Sequence, residues 1–251
     1  MNFCFYGRHK FGQGIVLYNV SPVPNWLTTL ADSIIVGDHI GRLRLQFKYF
    51  ERPLFGCKGS FLVVQCGAER KVTFDFGPDG SVGEDTFFAL MAWSRFPNFT
   101  FGFIEGEMSE SSCLTLLDFL QQRKRWFQGL FLAALSPTIP WRHRIFVFYT
   151  FCAWMALPLN LLNHIVMMLF DPLPNWIYID LVISYMDSVY LYIYLLGTMK
   201  SFNRGSVFSI VACLLGTLLV CPMNTCVVCL AVVWGTFSNK HQFRITPKTT
   251  I

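Results

Sequence analysis

The pattern of apolar and polar positions divides the chain near residue 145. Before that point short apolar runs alternate with polar and turn-forming residues; beyond it apolar stretches run almost unbroken. In the first part the runs GIVLY (14–18), FLVV (61–64) and VTFDF (72–76) are β-rich and bounded by Gly, Pro and Asp, which predicts three strands. Helical patterns lie between and after them, over residues 25–36 and 84–93. From 115 to 131 the sequence TLLDFLQQRKRWFQGLF repeats apolar residues at Leu116, Leu120, Phe127 and Leu130 near helical period, with Thr115 and Asp118 as its cap. Its basic cluster Arg123, Lys124, Arg125 and aromatic neighbours fit a helix lying on a membrane surface; a solvated basic face beside an apolar core stripe fits the same pattern.

Three apolar segments follow, at 145–170, 176–199 and 207–237, and each exceeds the roughly 20 residues needed to cross a bilayer. The third is too long for one ordinary span and short for two, and Pro222 interrupts it. A kinked span and a re-entrant pair are both open, and Lys240, Arg244 and Lys248 favour the pair because it returns the tail to the side of the lobe. Arg142 and Arg144 before the first segment, and Lys200 and Arg204 after the second, put the lobe in the cytosol by positive-inside bias. The expected organisation is a lobe over 1–112, an interface helix region over 113–144, a transmembrane region over 145–237 and a tail over 238–251.

Composition agrees with this division. Hydrophobic residues make up 53% and charged residues 14%, against roughly 25% charged in soluble domains. Of 20 Lys and Arg, 15 fall within residues 1–144, with 12 of the 15 Asp and Glu. A net charge of +5 spread this thinly excludes nucleic acid as an expected partner and leaves the membrane. The first ten residues, MNFCFYGRHK, are interrupted by Arg8, His9 and Lys10, so no cleaved signal is expected there. Nine cysteines form no disulfide framework; Cys226 and Cys229 have C-x-x-C spacing, but no second pair or nearby His completes a zinc site.

Two motifs carry candidate chemistry. Gly83-Glu84-Asp85-Thr86 places acidic residues at a loop-to-helix junction, where they serve either as catalytic carboxylates or as a helix cap. Gln122-Arg123-Lys124-Arg125-Trp126 is Q-x-x-R-W: Gln122, Arg125 and Trp126 stand at i, i+3 and i+4, so an amide, a guanidinium and an indole share one face. Arg offers a fixed fork for phosphate oxygens and Trp a flat face for a sugar ring.

An acidic pair followed 37 residues later by Q-x-x-R-W and then by several spans resembles the family 2 membrane glycosyltransferases. The longer stretches NWLTTLADSIIVGDHIGRLRLQFKYF (25–50), GCKGSFLV (56–63), VTFDFGPDGSVGEDTFFA (72–89) and FIEGEMSESSCLTLLDFLQQRKRWFQG (103–129) are similar to the egghead-type β-1,4-mannosyltransferases of glycosphingolipid synthesis. The resemblance implies an α/β, GT-A-like lobe, an amphipathic interface helix and an α-helical transmembrane region, in a multi-pass protein of the Golgi or endoplasmic reticulum. It implies transfer of mannose from GDP-mannose to a glucosylceramide-type glycolipid acceptor with inversion. Asp85, with Glu84, would be the catalytic carboxylates; Gln122 and Arg125 would meet the donor diphosphate; Trp126, Gly59 and Ser60 would meet the acceptor. Gly59 and Ser60 read equally as a plain turn before the strand at Phe61. The family's D-x-D, which holds the Mg or Mn ion of the donor complex, occurs nowhere in this sequence, so a divalent metal is expected for the intact enzyme with ligands outside the chain. The segment alone is then expected to lack donor binding. The alternatives are a membrane scaffold or inactive relative, another processive polysaccharide synthase, and a transporter prompted by Asp180, Asp187 and His164 in apolar segments.

Overall fold

A computed structural model describes residues 8–19, 25–170, 177–203 and 205–238. Three strands form one mixed sheet in the order β2-β1-β3. β1 (Phe11–Leu17) is central and buried along its whole length; it pairs antiparallel with β2 (Leu62–Val64) and parallel with β3 (Phe101–Ser109). The β1–β3 register is broken by a bulge: Gln13 pairs with Phe103, but Ile15 pairs with Glu107. The Phe61 ring occupies the space that a side chain at Gly14 would fill and lies against Gly106, so the two glycines let the aromatic ring lie on the sheet.

Asn25 caps α1 (Trp26–Asp38), accepting the Leu27 N–H and donating to the Leu114 carbonyl at 2.7 Å. The helix continues into two π-helical turns, His39–Leu43 and Leu45–Tyr49. After β2 come α2 (Cys66–Val72), the short α3 (Gly77–Gly80) and α4 (Glu84–Arg95). α4 buries Phe87, Phe88, Ala89 and Leu90 in a core that Phe11, Phe47 and Phe101 share. α5 (Leu116–Leu135), α6 (Trp141–Leu169), α7 (Ile177–Phe202) and α8 (Val207–Phe237) complete the described chain. The last three are long and apolar enough to cross a membrane.

α1 joins the sheet to these helices. Side chains added at Gly37 or Gly197 would collide with the backbone of Ile193 or Ser33, so α1 and α7 cross at backbone contact. The Tyr194 hydroxyl, on a side chain with no solvent exposure, donates to the Ala31 carbonyl at 3.2 Å.

The strands expected at 14–18 and 61–64 and the helices at 25–36, 84–93 and 115–131 form. The strand expected at 72–76 does not. Val72 ends α2, Thr73 takes a φ of 61°, and Phe74 stacks on Phe88 at 4.3 Å instead of entering the sheet. β3 and α2 form where no element was expected. The re-entrant pair also gives way to one helix through Pro222, because 207–237 holds no turn-forming cluster where a chain reversal could start. Arg142 and Arg144 fall within the first turn of α6, where Arg144 donates to the Ala134 and Ser136 carbonyls at the end of α5. Arg204, Lys240, Arg244, Lys248 and the connection at 171–176 lie outside the described residues. All eight described cysteines are free, Cys226 and Cys229 among them.

Candidate active site

A buried glutamine fixes the turn on which the site is built. Gln13 is 1% exposed; its amide nitrogen donates to the Ser60 carbonyl at 2.9 Å and its oxygen accepts the Lys58 N–H at 2.9 Å. The Lys58-Gly59-Ser60 turn is thereby held at the edge of β1. Just before it, Gly56 has a φ of 81° and packs so tightly on Thr86 of α4 that a Cβ there would lie 2.9 Å from the threonine methyl. The turn and the start of α4 are one packed unit.

Asp85 completes that unit. One of its carboxylate oxygens accepts the Gly59 N–H at 2.9 Å and the other accepts the Thr86 N–H at 2.7 Å. Both donors are backbone N–H groups, so the two bonds together favour one orientation of the carboxylate. Glu84, beside it, is held above the usual carboxylate range by burial and then by the Asp85 charge, with the Arg125 charge opposing.

The Q-x-x-R-W helix is docked by a second glycine contact. A Cβ on Gly83 would lie 3.0 Å from the Cα of Gly129, one turn beyond Arg125 and Trp126 on α5. The acidic motif and the amide-guanidinium-indole face, 37 residues apart, therefore meet backbone to backbone.

The result is a cavity of about 740 Å³ whose walls are β1, the 55–60 turn, the start of α4, one face of α5 and part of α6. All seven residues singled out in the sequence line it: Gly59, Ser60, Glu84, Asp85, Gln122, Arg125 and Trp126. The basic cluster of α5 is arranged differently from the expectation of a membrane-facing surface. Arg123 is 3% exposed and forms a buried ion pair with Asp32 of α1, while its guanidinium stacks on Phe119 and Trp126 at 4.1 and 4.3 Å from the ring centroids. Lys124 is buried against the Trp234 ring at 4.2 Å. Helical period sends positions 123 and 124 toward α1 and α8 while 122, 125 and 126 face the cavity; long side chains with apolar stems can be buried where a partner or ring receives the charge.

Four further acidic or basic side chains line the cavity that sequence reasoning did not single out. Glu110 follows β3 and accepts the Ser60 hydroxyl at 2.9 Å. Lys58 brings its ammonium to 5.9 Å from the Trp126 ring, and burial, then Arg42, hold its pKa down. Arg42 pairs with Asp38 at 2.6 Å. His39 is 2% exposed; its Nδ1 accepts from Val16 N–H at 3.5 Å, which leaves the proton on Nε2 with no partner. Lys58 and Glu110 stand within stretches whose pattern was informative, whereas nothing in the local sequence distinguishes His39 from an ordinary helix residue.

The carboxylates do not fit a divalent-cation site. Among the described residues no three His, Cys, Asp or Glu side chains converge as a bound metal ion requires. What the cavity offers is an oriented carboxylate, a guanidinium and an amide on one helix face, and an indole beside them.

The family model described as Glycosyl transferase family group 2 matches residues 1–237. Over 99% of its length the chain is 47% identical to the Drosophila melanogaster protein named Beta-1,4-mannosyltransferase egh, and 43% identical to the Caenorhabditis elegans protein named Beta-1,4-mannosyltransferase bre-3. Each alignment covers 54% of the relative, so the chain spans about half the length of the curated relatives it matches.

Proposed function

The chain belongs to glycosyl transferase family group 2, and from that membership we propose that it forms the acceptor side of an inverting β-1,4-mannosyltransferase. In this reading the donor is GDP-mannose and the acceptor a glucosylceramide-type glycolipid; the relatives' names support mannosyl transfer with a β-1,4 link. On the same reading the protein lies in the membrane of the Golgi or endoplasmic reticulum with the lobe in the cytosol; three long apolar helices support the membrane crossing itself. Carrying the proposal is the meeting of Asp85, Arg125, Gln122 and Trp126 around one cavity, with Asp85 already oriented by two backbone amides.

In this reading the Asp85 carboxylate takes the proton of the acceptor hydroxyl as its oxygen attacks the anomeric carbon from the face opposite the diphosphate. A new carbon–oxygen bond forms, the bond from the anomeric carbon to the GDP oxygen breaks, and its electron pair leaves with the diphosphate. The charge that grows on that group is met by the Arg125 fork and the Gln122 amide. The acceptor sugar lies against the Trp126 ring, bounded by Gly59 and Ser60, and that contact supplies the orientation that makes attack effectively intramolecular.

The test is a transfer assay on the purified full gene product with labelled GDP-mannose. Asp85→Asn keeps the side chain's size but removes the base, so kcat falls by about 10²–10⁴-fold with donor affinity little changed. Trp126→Ala raises the acceptor KM, and Arg125→Lys lowers kcat because an ammonium lacks the fork. Near-normal turnover of Asp85→Asn, or use of other sugar nucleotides in preference to GDP-mannose, overturns the proposal.

A further inference from the structure

A second, almost wholly apolar groove of about 650 Å³ adjoins the cavity just described. The two share Arg42, Phe55, Thr150 and Trp154, so one continues into the other. Phe55 stands at the neck, with the Arg42 guanidinium 5.1 Å above its ring and Phe146 edge-on at 5.4 Å. Beyond the neck the charged groups end, and the walls are Gly41 and Leu45 on one side and Tyr149 and Ala153 of α6 on the other.

The depth of the groove identifies its occupant. α6 is charge-free from Ile145 onward, and at about 1.5 Å per residue Tyr149 and Trp154 lie roughly 6 and 14 Å into that stretch. The groove therefore opens at the level where the hydrocarbon of a bilayer begins, while the cavity it feeds is lined by charged groups. A water-soluble acceptor needs no apolar channel at this depth. A lipid whose sugar enters the cavity has its chain arriving at this groove, with Phe55 at the junction of headgroup and tail.

We propose that the groove between the Gly41–Leu45 turn and α6 holds the hydrocarbon chain of a membrane-dissolved acceptor lipid while its sugar occupies the cavity. The assignment rests on the acceptor side of the function proposed above and adds the binding site for the tail.

Two substitutions fill the groove from opposite walls without touching the cavity. A Cβ at Gly41 meets open space and Ala153 is exposed, so Gly41→Phe and Ala153→Trp add bulk to the groove from facing walls. The full gene product is placed in lipid nanodiscs with a glucosyl lipid bearing a diazirine in its chain, and labelled peptides are mapped. A diazirine phosphatidylcholine is the control for bulk lipid. The glucosyl lipid labels Leu45, Tyr149 and Ala153 saturably, excess unlabelled glucosyl lipid competes it away, and each substitution lowers that labelling roughly tenfold. In parallel, transfer to the long-chain lipid falls by a similar factor while transfer to a short-chain glucoside is unchanged. Equal labelling of the groove by phosphatidylcholine makes it ordinary lipid annulus and overturns the inference, as does protection from both probes, which means a protein segment covers it. Loss of the long-chain preference in the unsubstituted protein overturns it too. Failure of the unsubstituted protein to use either acceptor is a different result: it sinks the proposed transferase, whereas the labelling outcomes judge the groove alone.

Discussion

At the scale of single residues, charge placement separates what the sequence disclosed from what it concealed. Gln122, Arg125 and Trp126 were legible because helical period alone puts them on one face, and that face lines the cavity. Arg123 was not, because its partner Asp32 lies 91 residues away on α1 and only the fold brings them together. His39 was concealed for the same reason: its hydrogen bond comes from the Val16 amide across the sheet edge. Its environment has a measurable consequence. Burial and the nearby Lys58 charge lower the His39 pKa from the ordinary 6.5 to about 3. Between those values the unfolded chain binds a proton that the folded chain refuses, so stability falls as pH drops through this window and is intact above it. At pH 5 the His39 contribution to that loss is about 2 kcal/mol. His39→Leu is expected to flatten the pH dependence of thermal unfolding in detergent between pH 7 and pH 5; an unchanged slope removes His39 as its source.

At the scale of elements, the sequence disclosed helices better than strands. Long periodic segments such as α5 and the three apolar helices repeat their signal over many turns, whereas each strand offers only a few residues. Val72–Phe76 had strand composition, yet the φ of Thr73 turns the chain away before any ladder can form. β3 escaped because Gly102 and Gly106 break its apolar alternation, and one of those glycines exists to admit the Phe61 ring. Small residues also decide how α4 meets α5. Gly83→Ala or Gly129→Ala must push two backbones apart, at a cost of about 1–3 kcal/mol, and should lower transfer activity by separating Asp85 from Arg125. Gly67→Ala on α2 meets open space, so it should instead stabilise the fold by roughly 0.5–1 kcal/mol. Thermal melts of the three variants in one detergent distinguish a contact-specific effect from a general preference for alanine, and equal shifts in all three would refute the close approach.

At the scale of the whole molecule, orientation can be read from one exposed asparagine. Asn98-Phe99-Thr100 is an acceptor sequon on the loop before β3, and the Thr100 hydroxyl donates to the Arg8 carbonyl at 2.7 Å. If the lobe faces the cytosol, as proposed above, this asparagine never meets the lumenal oligosaccharyltransferase. Expressed in animal cells, the protein should show no glycosidase-sensitive mass shift; a shift abolished by Asn98→Gln reverses the topology. The crossing of α1 and α7 reaches further, into how the molecule is made. Ala31 waits for a hydroxyl 163 residues downstream, which at 5–20 residues per second is a delay of roughly 10–30 s on the ribosome. Through that interval α1 has neither of its later neighbours, α7 and α8, and the small-residue face around Gly37 stays uncovered. Packing of α1 is thus timed by synthesis of the helices that follow it, and the chain keeps an exposed small-residue face until α7 is in place.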